Sequence, residues 1–371
     1  MSYTAATVQL LSPDGTLVES DATAEYLPHI EALSDDQLRE FHRQMVVIRA
    51  FDAEATNLQK QGELGLWVPS MGQEAAQVGS GFAAMPQDHI FPSYREHVVA
   101  RIRGVDLIGI MGLLRGTTHG GWNPAESNNF HLYTLVLGSH ALHATGRAMA
   151  MTLDGTTGTG DPEKDSAVMV YFGDGATSQG DVSEALVFAA SYQAPVVFFL
   201  QNNHWAISVP VEVQSRSPLY LRPSGFGIPG VQVDGNDVLA SYAVTKQNLD
   251  ASRNGEGPRF IEALTYRMGA HTSSDDPTKY RLDSEVEYWA KRDPIARFET
   301  WLRSRGEGDA FFAEVAEEAN DVAADIRTRT LALGTPSTNV MFDHVYSEPH
   351  PVMAAQKQWL ADYDASFGGD A

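Results

Sequence analysis

Apolar residues recur along the first third of the chain at the three- and four-residue spacing of amphipathic helices. A capping box at Ser34 opens the first of these helices, and its apolar face includes Leu38 and Phe41. The pattern predicts that this helix continues to about Gln61. Three further helices are predicted, at residues 73–85, 94–105 and 106–114. The first third is therefore interpreted as mainly helical.

The middle third changes to continuous apolar runs, which are typical of strands buried on both faces of a parallel sheet. Two such runs span residues 167–172 and 195–200, and the segment 181–192 between them is helix-like. Strand, helix and strand within this length make a βαβ unit with a right-handed crossover. A strand, turn and helix at 230–249 and another strand at 259–269 extend the pattern. These elements predict an α/β protein with a Rossmann-like, mostly parallel sheet flanked by helices.

The two ends of the chain show different patterns. Residues 1–33 are interpreted as an N-terminal arm, and residues 34–371 as a single domain whose C-terminal region is helical from about residue 284. The polar, glycine-containing segment 119–129 predicts a loop of more than the usual length. His119, at its start, either faces a site or bonds to the backbone of the loop.

Composition narrows the range of functions. With 26 Lys and Arg against 48 Asp and Glu, the formal net charge of -22 opposes attraction to nucleic acids and to anionic membranes. The absence of cysteine excludes disulfides and thiolate metal sites and fits a cytoplasmic location. The N-terminal sequence lacks the features of a signal peptide, and no apolar run reaches the ~20 residues of a membrane span.

Two short motifs suggest a metal site. Gly173, Asp174 and Gly175 follow the first buried strand, and Asn203 follows the second. Neighbouring parallel strands end in one crevice, so Asp174 and Asn203 should lie side by side there. Mg²⁺ accepts few protein oxygens together with phosphate and water, and glycines beside a helix N-terminus suit a diphosphate. Taken singly, each motif is also compatible with an ordinary turn or strand end.

The same segments resemble a known family. The sequences GDGATSQGD and PVVFFLQNNHWAIS resemble the thiamine-diphosphate motif in alpha subunits of 2-oxoacid dehydrogenases. The resemblance extends through QGELGLWVPSMGQEAAQVG, FPSYREH and YRMGAHTSSDDPTKYR, and covers roughly residues 35–305 in the order of the family. It implies a thiamine-diphosphate-binding fold with helical N- and C-terminal extensions. It also implies thiamine diphosphate and Mg²⁺ as cofactors, an assembly of two alpha and two beta subunits, and transfer of acyl groups to a lipoyl-bearing acyltransferase.

The resemblance assigns roles to particular residues. It implies that Asp174, the side chain of Asn203 and the backbone oxygen of Trp205 ligate Mg²⁺, and that Tyr94 and Arg95 contact the diphosphate.

Further positions follow from the same resemblance. Leu137 would support the bent form of the cofactor, and the backbone of Leu135 would contact the aminopyrimidine. Gly173, Gly175 and Ala176 would line the cofactor.

His271 matches a family histidine that lies near the diphosphate and assists acyl transfer to the lipoyl group. Position 270 is Ala, whereas branched-chain members carry a second histidine there, so the role of that first histidine is in doubt. Gln201 stands where some relatives carry Arg, which removes one phosphate contact. An exposed loop histidine without a catalytic role is the alternative for His271.

These features favour the alpha subunit of an enzyme that oxidatively decarboxylates branched-chain 2-oxoacids such as 3-methyl-2-oxobutanoate and acylates lipoyl groups. Pyruvate dehydrogenase and acetoin dehydrogenase alpha subunits remain alternatives, because a few side chains set the substrate pocket. A self-sufficient thiamine enzyme would need a second α/β domain, and a Mg²⁺-nucleotide-binding module would be a non-enzymatic alternative. If a beta subunit covers this chain, apolar side chains should be exposed around residues 136–151.

Overall fold

A five-stranded parallel sheet forms the centre of the protein, with the strand order β1-β2-β3-β7-β6. The computed structural model describes residues 7–18, 20–118 and 120–367. A two-stranded antiparallel ribbon, β4-β5, follows the third strand of the chain. The strands are β1 His89–Phe91, β2 Val168–Gly173, β3 Val196–Asn202, β4 Trp205–Ala206, β5 Val209–Pro210, β6 Gly230–Asp234 and β7 Arg259–Leu264.

The central strands are buried on both faces, which explains their continuous apolar sequence. Met169 and Tyr171 of β2 pack into one hydrophobic cluster, whereas Val168, Val170 and Phe172 pack into another on the opposite face. All five side chains are fully buried. The predicted α/β fold with a mostly parallel sheet is confirmed.

Helices cover the two faces of the sheet. The helices α3 (Glu74–Ala83) and α9 (Val238–Arg253) pack together on the first face, and α6 (Ser139–Asp154) and α7 (Gly180–Tyr192) pack together on the second. In the first of two compact units, Met1–Leu331, the helices are α1 Leu27–Glu31, α2 Asp35–Lys60, α3 Glu74–Ala83, α4 His97–Ile102, α5 Leu107–Arg115, α6 Ser139–Asp154, α7 Gly180–Tyr192, α8 Val211–Gln214, α9 Val238–Arg253, α10 Asp283–Ala290, α11 Pro294–Ser304 and α12 Asp309–Leu331.

The predicted capping box is present at the start of α2. Ser34 Oγ accepts the backbone N–H of Gln37 at 3.2 Å, and the Gln37 side chain accepts the backbone N–H of Ser34 at 3.0 Å. The helix predicted at 94–105 is shorter, because α4 begins only at His97. Residues 94–96 instead form a turn that faces the carboxyl edge of the sheet, and this turn contributes to the candidate site.

The N-terminal segment is more ordered than its sequence suggests. It contains α1, and Val8 forms a parallel bridge with Val233 at the edge of the sheet. The backbone N–H groups of Leu10 and Leu11 donate to the buried carboxylate of Asp237 at 2.7 and 2.5 Å. These contacts cover the exposed edge of β6.

The second compact unit, Ala332–Ala371, contains α13 Val340–Asp343 and α14 Pro351–Ala365. Neither of its helices has a buried residue, and Trp359 and Phe367 are largely exposed. Within the part of the chain that the structure describes, no helix is long and apolar enough to cross a membrane.

Candidate active site at the carboxyl edge of the sheet

The adjacent strands β2 and β3 bring the two polar motifs together. Gly173 pairs with Gln201 in the parallel register, so Asp174 and Asn203 follow directly on neighbouring strand ends. Asp174 is 1% exposed, and Gln214 Nε2 donates to its Oδ2 at 2.9 Å. Burial raises the pKa of Asp174 to about 6. A cation at this position would stabilise the ionised carboxylate that burial disfavours.

The segment after β3 is held in an unusual backbone conformation. His204 and Ile207 have φ values of 71° and 57°, which lie in the left-handed region. Residues other than glycine rarely adopt this region, and β-branched residues such as Ile least of all. His204 and Ile207 lie on either side of Trp205. Arg267 bonds to this segment, because its Nη1 donates to Trp205 O at 3.0 Å and its Nη2 donates to Ile207 O at 2.7 Å. Arg267 therefore fixes the carbonyl of Trp205 beside the two strand ends.

A cavity of about 210 Å³ opens at these strand ends. Most of the residues predicted for the site line it together. The lining residues are Gln73, Ser93, Tyr94, Arg95, Glu96, Leu137, Gly173, Asp174, Gly175, Ala176, Gln201, Asn203, Trp205, Ala206, Ile207 and His271. Position 175 requires glycine because Ala206 packs closely against its backbone, and an added Cβ would lie 2.8 Å from the Cβ of Ala206.

One side of the cavity is positively charged. Arg95 is 5% exposed, and its guanidinium donates to the backbone oxygens of Pro69 and His271, the latter at 3.0 Å. Arg267 is fully buried behind it. Among the described residues no carboxylate lies within ion-pair distance of either guanidinium. Two buried cations that form no direct ion pair with a described carboxylate make this side of the cavity suitable for an anion.

The loop before α3 positions Arg95 and depends on a buried carboxylate. Asp52 accepts Trp67 Nε1–H at 2.6 Å and the backbone N–H groups of Ser70 and Met71 at 2.9 Å each. Burial raises the pKa of Asp52 to about 6. The loop held in this way supplies the Pro69 carbonyl to Arg95. Asp52 therefore supports the site without lining it.

His271 lies between the two arginines. Its Nδ1 is 3.4 Å from Arg95 Nη2 and 3.4 Å from Arg267 Nη1, and the ring of Tyr94 meets it edge to face at 6.2 Å. Burial and then the charges of Arg95 and Arg267 lower the pKa of His271 to about 4. The backbone N–H of His271 donates to Asp275 Oδ2 at 2.8 Å, which fixes the loop.

Sequence reasoning missed the buried polar residues behind this arrangement. Glu96 accepts the backbone N–H of Ser93 at 2.8 Å and Gln201 Nε2–H at 2.6 Å, and burial raises its pKa. From the sequence, Gln201 is only a position at which some relatives have an Arg that contacts phosphate. In the structure it links β3 to the segment that carries Arg95. Gln77 Nε2 donates to Gln201 Oε1 at 3.1 Å and completes this network.

Gln73 was also missed, although it lies in the quoted segment GQEAAQ. Its Oε1 accepts Asn203 Nδ2–H at 3.4 Å, and its own Nε2 is buried without a hydrogen-bond partner among the described residues. Because Gln73 lines the cavity, this donor suits an acceptor oxygen of a ligand.

Leu135 is the one predicted site residue that the cavity lining does not include. It is 66% exposed, and the neighbouring Val136 is 72% exposed. The contact predicted for the backbone of Leu135 stays a prediction. His119 lies outside the described residues.

The described residues contain no group of three or more His, Cys, Asp and Glu side chains that could hold a metal ion. A cation at Asp174 would therefore depend on amide and backbone oxygens, namely those of Asn203 and Trp205, and on oxygens of a ligand.

The fold and the cavity define an α/β protein with a candidate site, whose lining includes the buried carboxylate of Asp174 and the buried guanidinium of Arg95, at the carboxyl edge of a parallel sheet. The chain belongs to the dehydrogenase E1 component family, whose model matches residues 42–328. It is 42% identical over 363 residues to the 3-methyl-2-oxobutanoate dehydrogenase subunit alpha of Mycobacterium tuberculosis, covering 97% of this chain and 95% of the relative.

Pyruvate dehydrogenase E1 component alpha subunits are also similar. The protein from Acholeplasma laidlawii is 39% identical over 331 residues, covering 87% of this chain and 92% of that one. The protein from Bacillus cereus is 39% identical over 302 residues, covering 81% of this chain and 77% of that one.

Proposed function

We propose that this chain is the alpha subunit of a 2-oxoacid dehydrogenase that uses thiamine diphosphate and Mg²⁺ to decarboxylate branched-chain substrates such as 3-methyl-2-oxobutanoate. The observation that carries the proposal is the convergence of Asp174, Asn203, Arg95 and His271 on one cavity. Similarity along almost the whole chain to a 3-methyl-2-oxobutanoate dehydrogenase subunit alpha supports the substrate class.

Mg²⁺ would be held by Asp174, the amide oxygen of Asn203 and the backbone oxygen of Trp205. A buried carboxylate with a raised pKa favours a cation, and one carboxylate with neutral oxygens suits Mg²⁺ that is also bound by phosphate. Trp205 O already accepts one bond from Arg267, and its second lone pair leaves capacity for a ligand bond.

The diphosphate would lie against Arg95, Tyr94 and the glycines of the GDG motif. Arg95 supplies a buried charge without a carboxylate partner, and Gln73 supplies an unpaired donor. Leu137, packed on the core beneath α6 and α7, would shape the apolar wall of the cavity. Thiamine diphosphate, when bound, supplies the electron sink for loss of carbon dioxide from the 2-oxoacid. The protein orients this group and limits access of water to the cavity.

His271 would contact the reacting groups, since it lines the cavity beside Tyr94. In this role it would assist transfer of the acyl group to a lipoyl-bearing acyltransferase.

A beta subunit would cover exposed apolar residues on and beside α6 and α7. Leu135 and Val136 precede α6, Leu153 near its end is 86% exposed, and Phe188 on α7 is 43% exposed. The alpha-subunit names of the relatives imply such a partner. The proposed assembly has two alpha and two beta chains, and its apolar contacts would bury this surface.

Pyruvate is the second candidate substrate, because pyruvate dehydrogenase alpha subunits are 39% identical to this chain. The two substrates differ in the bulk of one side chain, which a few residues of both subunits could distinguish.

The test is decarboxylation by this chain assembled with its beta subunit, in the presence of thiamine diphosphate and Mg²⁺. Turnover of 3-methyl-2-oxobutanoate should exceed that of pyruvate and should be lost in Asp174→Asn. Asp321→Asn, on the exposed face of α12, is the matched control and should retain activity. Higher turnover of pyruvate would assign the second candidate, and turnover by Asp174→Asn equal to the control would refute the proposed metal site.

A further inference from the structure

The side of His271 that faces the protein is surrounded by groups that can only donate hydrogen bonds. Arg95 and Arg267 each place a guanidinium nitrogen 3.4 Å from its Nδ1. A guanidinium has N–H donors and no acceptor, and it stays charged in proteins. An N–H at Nδ1 would therefore point at two donors, whereas the lone pair of an unprotonated Nδ1 is complementary to both.

Both arginines are fixed in place by other bonds, so they cannot turn away from the ring. Arg95 also donates to the backbone oxygens of Pro69 and His271, and Arg267 donates to those of Trp205 and Ile207. Tyr280 Oη accepts a further bond from Arg267 at 2.9 Å. The guanidinium positions are thus set by five acceptors other than the ring.

The other charged and titratable groups around the ring do not reverse this preference. Asp275 is the nearest carboxylate, but its Oδ2 accepts the backbone N–H of His271 and the Tyr280 hydroxyl. The rings of Tyr94 and His271 are perpendicular, and their centroids are 6.2 Å apart. Burial and the two arginines disfavour the imidazolium more than Asp275 favours it, and the pKa is lowered to about 4.

The opposite nitrogen of the ring is left available. The side-chain contacts of His271 with the two arginines both involve Nδ1, and His271 lines the cavity. A neutral imidazole carries one proton, so an unprotonated Nδ1 requires the proton on Nε2.

We propose that Arg267, together with Arg95, holds His271 as the neutral tautomer with its proton on Nε2, so that His271 acts as a hydrogen-bond donor to an oxygen or sulfur of the reacting groups. Arg267 is then a positioning residue. This inference rests on the proposed function for the identity of the reacting groups, whereas the tautomer follows from the two arginines and does not depend on that function. In this tautomer His271 stabilises developing negative charge through a hydrogen bond from Nε2, and it does not transfer a proton from an imidazolium.

The first test is ¹⁵N NMR of the alpha chain labelled at histidine and assembled with unlabelled beta subunit, with and without thiamine diphosphate and Mg²⁺. The His271→Gln variant identifies the His271 signals among the 12 histidines. The expected spectrum has an unprotonated Nδ1 and a protonated Nε2, unchanged from about pH 8 to about pH 5.5. A protonated Nδ1, or an imidazolium near neutral pH in the loaded complex, would overturn the inference.

The second test changes the positioning residue. Arg267→Gln removes the charge and offers an acceptor, so the pKa of His271 should rise towards its ordinary value and turnover should become dependent on pH below about 6.5. Arg267→Lys keeps the charge and should keep the wild-type pH profile, even if turnover falls. An unchanged profile and spectrum in the folded Gln variant would contradict the role of Arg267.

The same experiments separate this inference from the proposed function. A complex that shows the expected tautomer but decarboxylates no 2-oxoacid would refute the function alone. A complex that decarboxylates 2-oxoacids with an imidazolium at His271 would refute the inference alone.

Discussion

Replacement of Gly72 by alanine should test whether the close approach of two loops builds the candidate site. Gly72 has a φ of 97°, and an added Cβ would lie 2.2 Å from the backbone oxygen of Tyr266 and 2.8 Å from Met268 Cγ. The two backbone segments would have to separate by roughly 1 Å. Because Arg267 follows Tyr266 directly, the separation would be transmitted to the guanidinium that contacts His271 and Trp205.

Two terms contribute to the expected loss of stability. The left-handed backbone alone should destabilise an alanine by about 1–2 kcal/mol. The overlap adds about 1–3 kcal/mol, as in other overpacked sites. Gly62→Ala separates the two terms, since Gly62 has a φ of 83° and no atom within 4 Å of its added Cβ. We expect about 1–2 kcal/mol for Gly62→Ala and about 2–5 kcal/mol for Gly72→Ala, the sum of the two terms.

The free energy of unfolding of both variants should be measured by urea denaturation, and thiamine diphosphate affinity should be measured on the assembled complex. Only Gly72→Ala should also lower turnover, by about 10- to 100-fold, because misplacement of roughly 1 Å at a site has effects of this size. Equal losses of stability in the two variants, with normal cofactor affinity in both, would refute the reasoning that this contact positions Arg267.

Three further variants address single features of the structure. Asp52→Asn should destabilise the protein by about 1–3 kcal/mol, because an amide N–H would face the donors of the loop. Burial raises the pKa of Asp52 to about 6, so the wild type should lose stability as the pH rises from about 4 to about 6, whereas the variant should not. The difference in unfolding free energy between the wild type and the variant should therefore be larger at about pH 4 than at about pH 6. Ile207→Gly should leave the unfolding temperature unchanged or raise it, since φ is 57° there, and a fall of several degrees would contradict strain at this residue. Arg297→Met should cost about 3–5 kcal/mol by removing the buried ion pair between Arg297 and Asp234, and normal stability in urea would count against that role.

The parts of the fold that could be predicted from sequence are those in which local pattern and burial agree. The strands β2 and β3 are buried on both faces, so their apolar runs are continuous, and Asp174 and Asn203 follow them directly. By contrast, β1 has only three residues and begins with His89, so its sequence looks like part of a loop. The helix α1, with five residues, is equally short for any periodic pattern.

The supporting residues of the site could not be found in this way. The bond from Gln201 to Glu96 joins positions 105 residues apart, and the bond from Trp67 to Ser273 joins positions 206 residues apart. No local pattern predicts that an arginine such as Arg267 is fully buried, because arginines are usually exposed. Motifs therefore identified the groups that would touch a ligand, whereas the residues that orient these groups emerged only from the packing.

Of the five buried arginines among the described residues, two form an ion pair with a buried aspartate and three do not. Away from the cavity, Arg253 and Arg297 each contact a buried aspartate, and Arg103 donates to several backbone oxygens. At the cavity, the guanidinium groups of Arg95 and Arg267 donate to carbonyls, a hydroxyl and a histidine and make no ion pair with a described carboxylate, although a carboxylate partner would lower the energy of the free protein. A carboxylate there would compete with an anionic ligand for the same guanidinium. The absence of ion pairs at Arg95 and Arg267 would keep their positive charge available for a diphosphate, and the proposed tautomer would place the proton of His271 on Nε2.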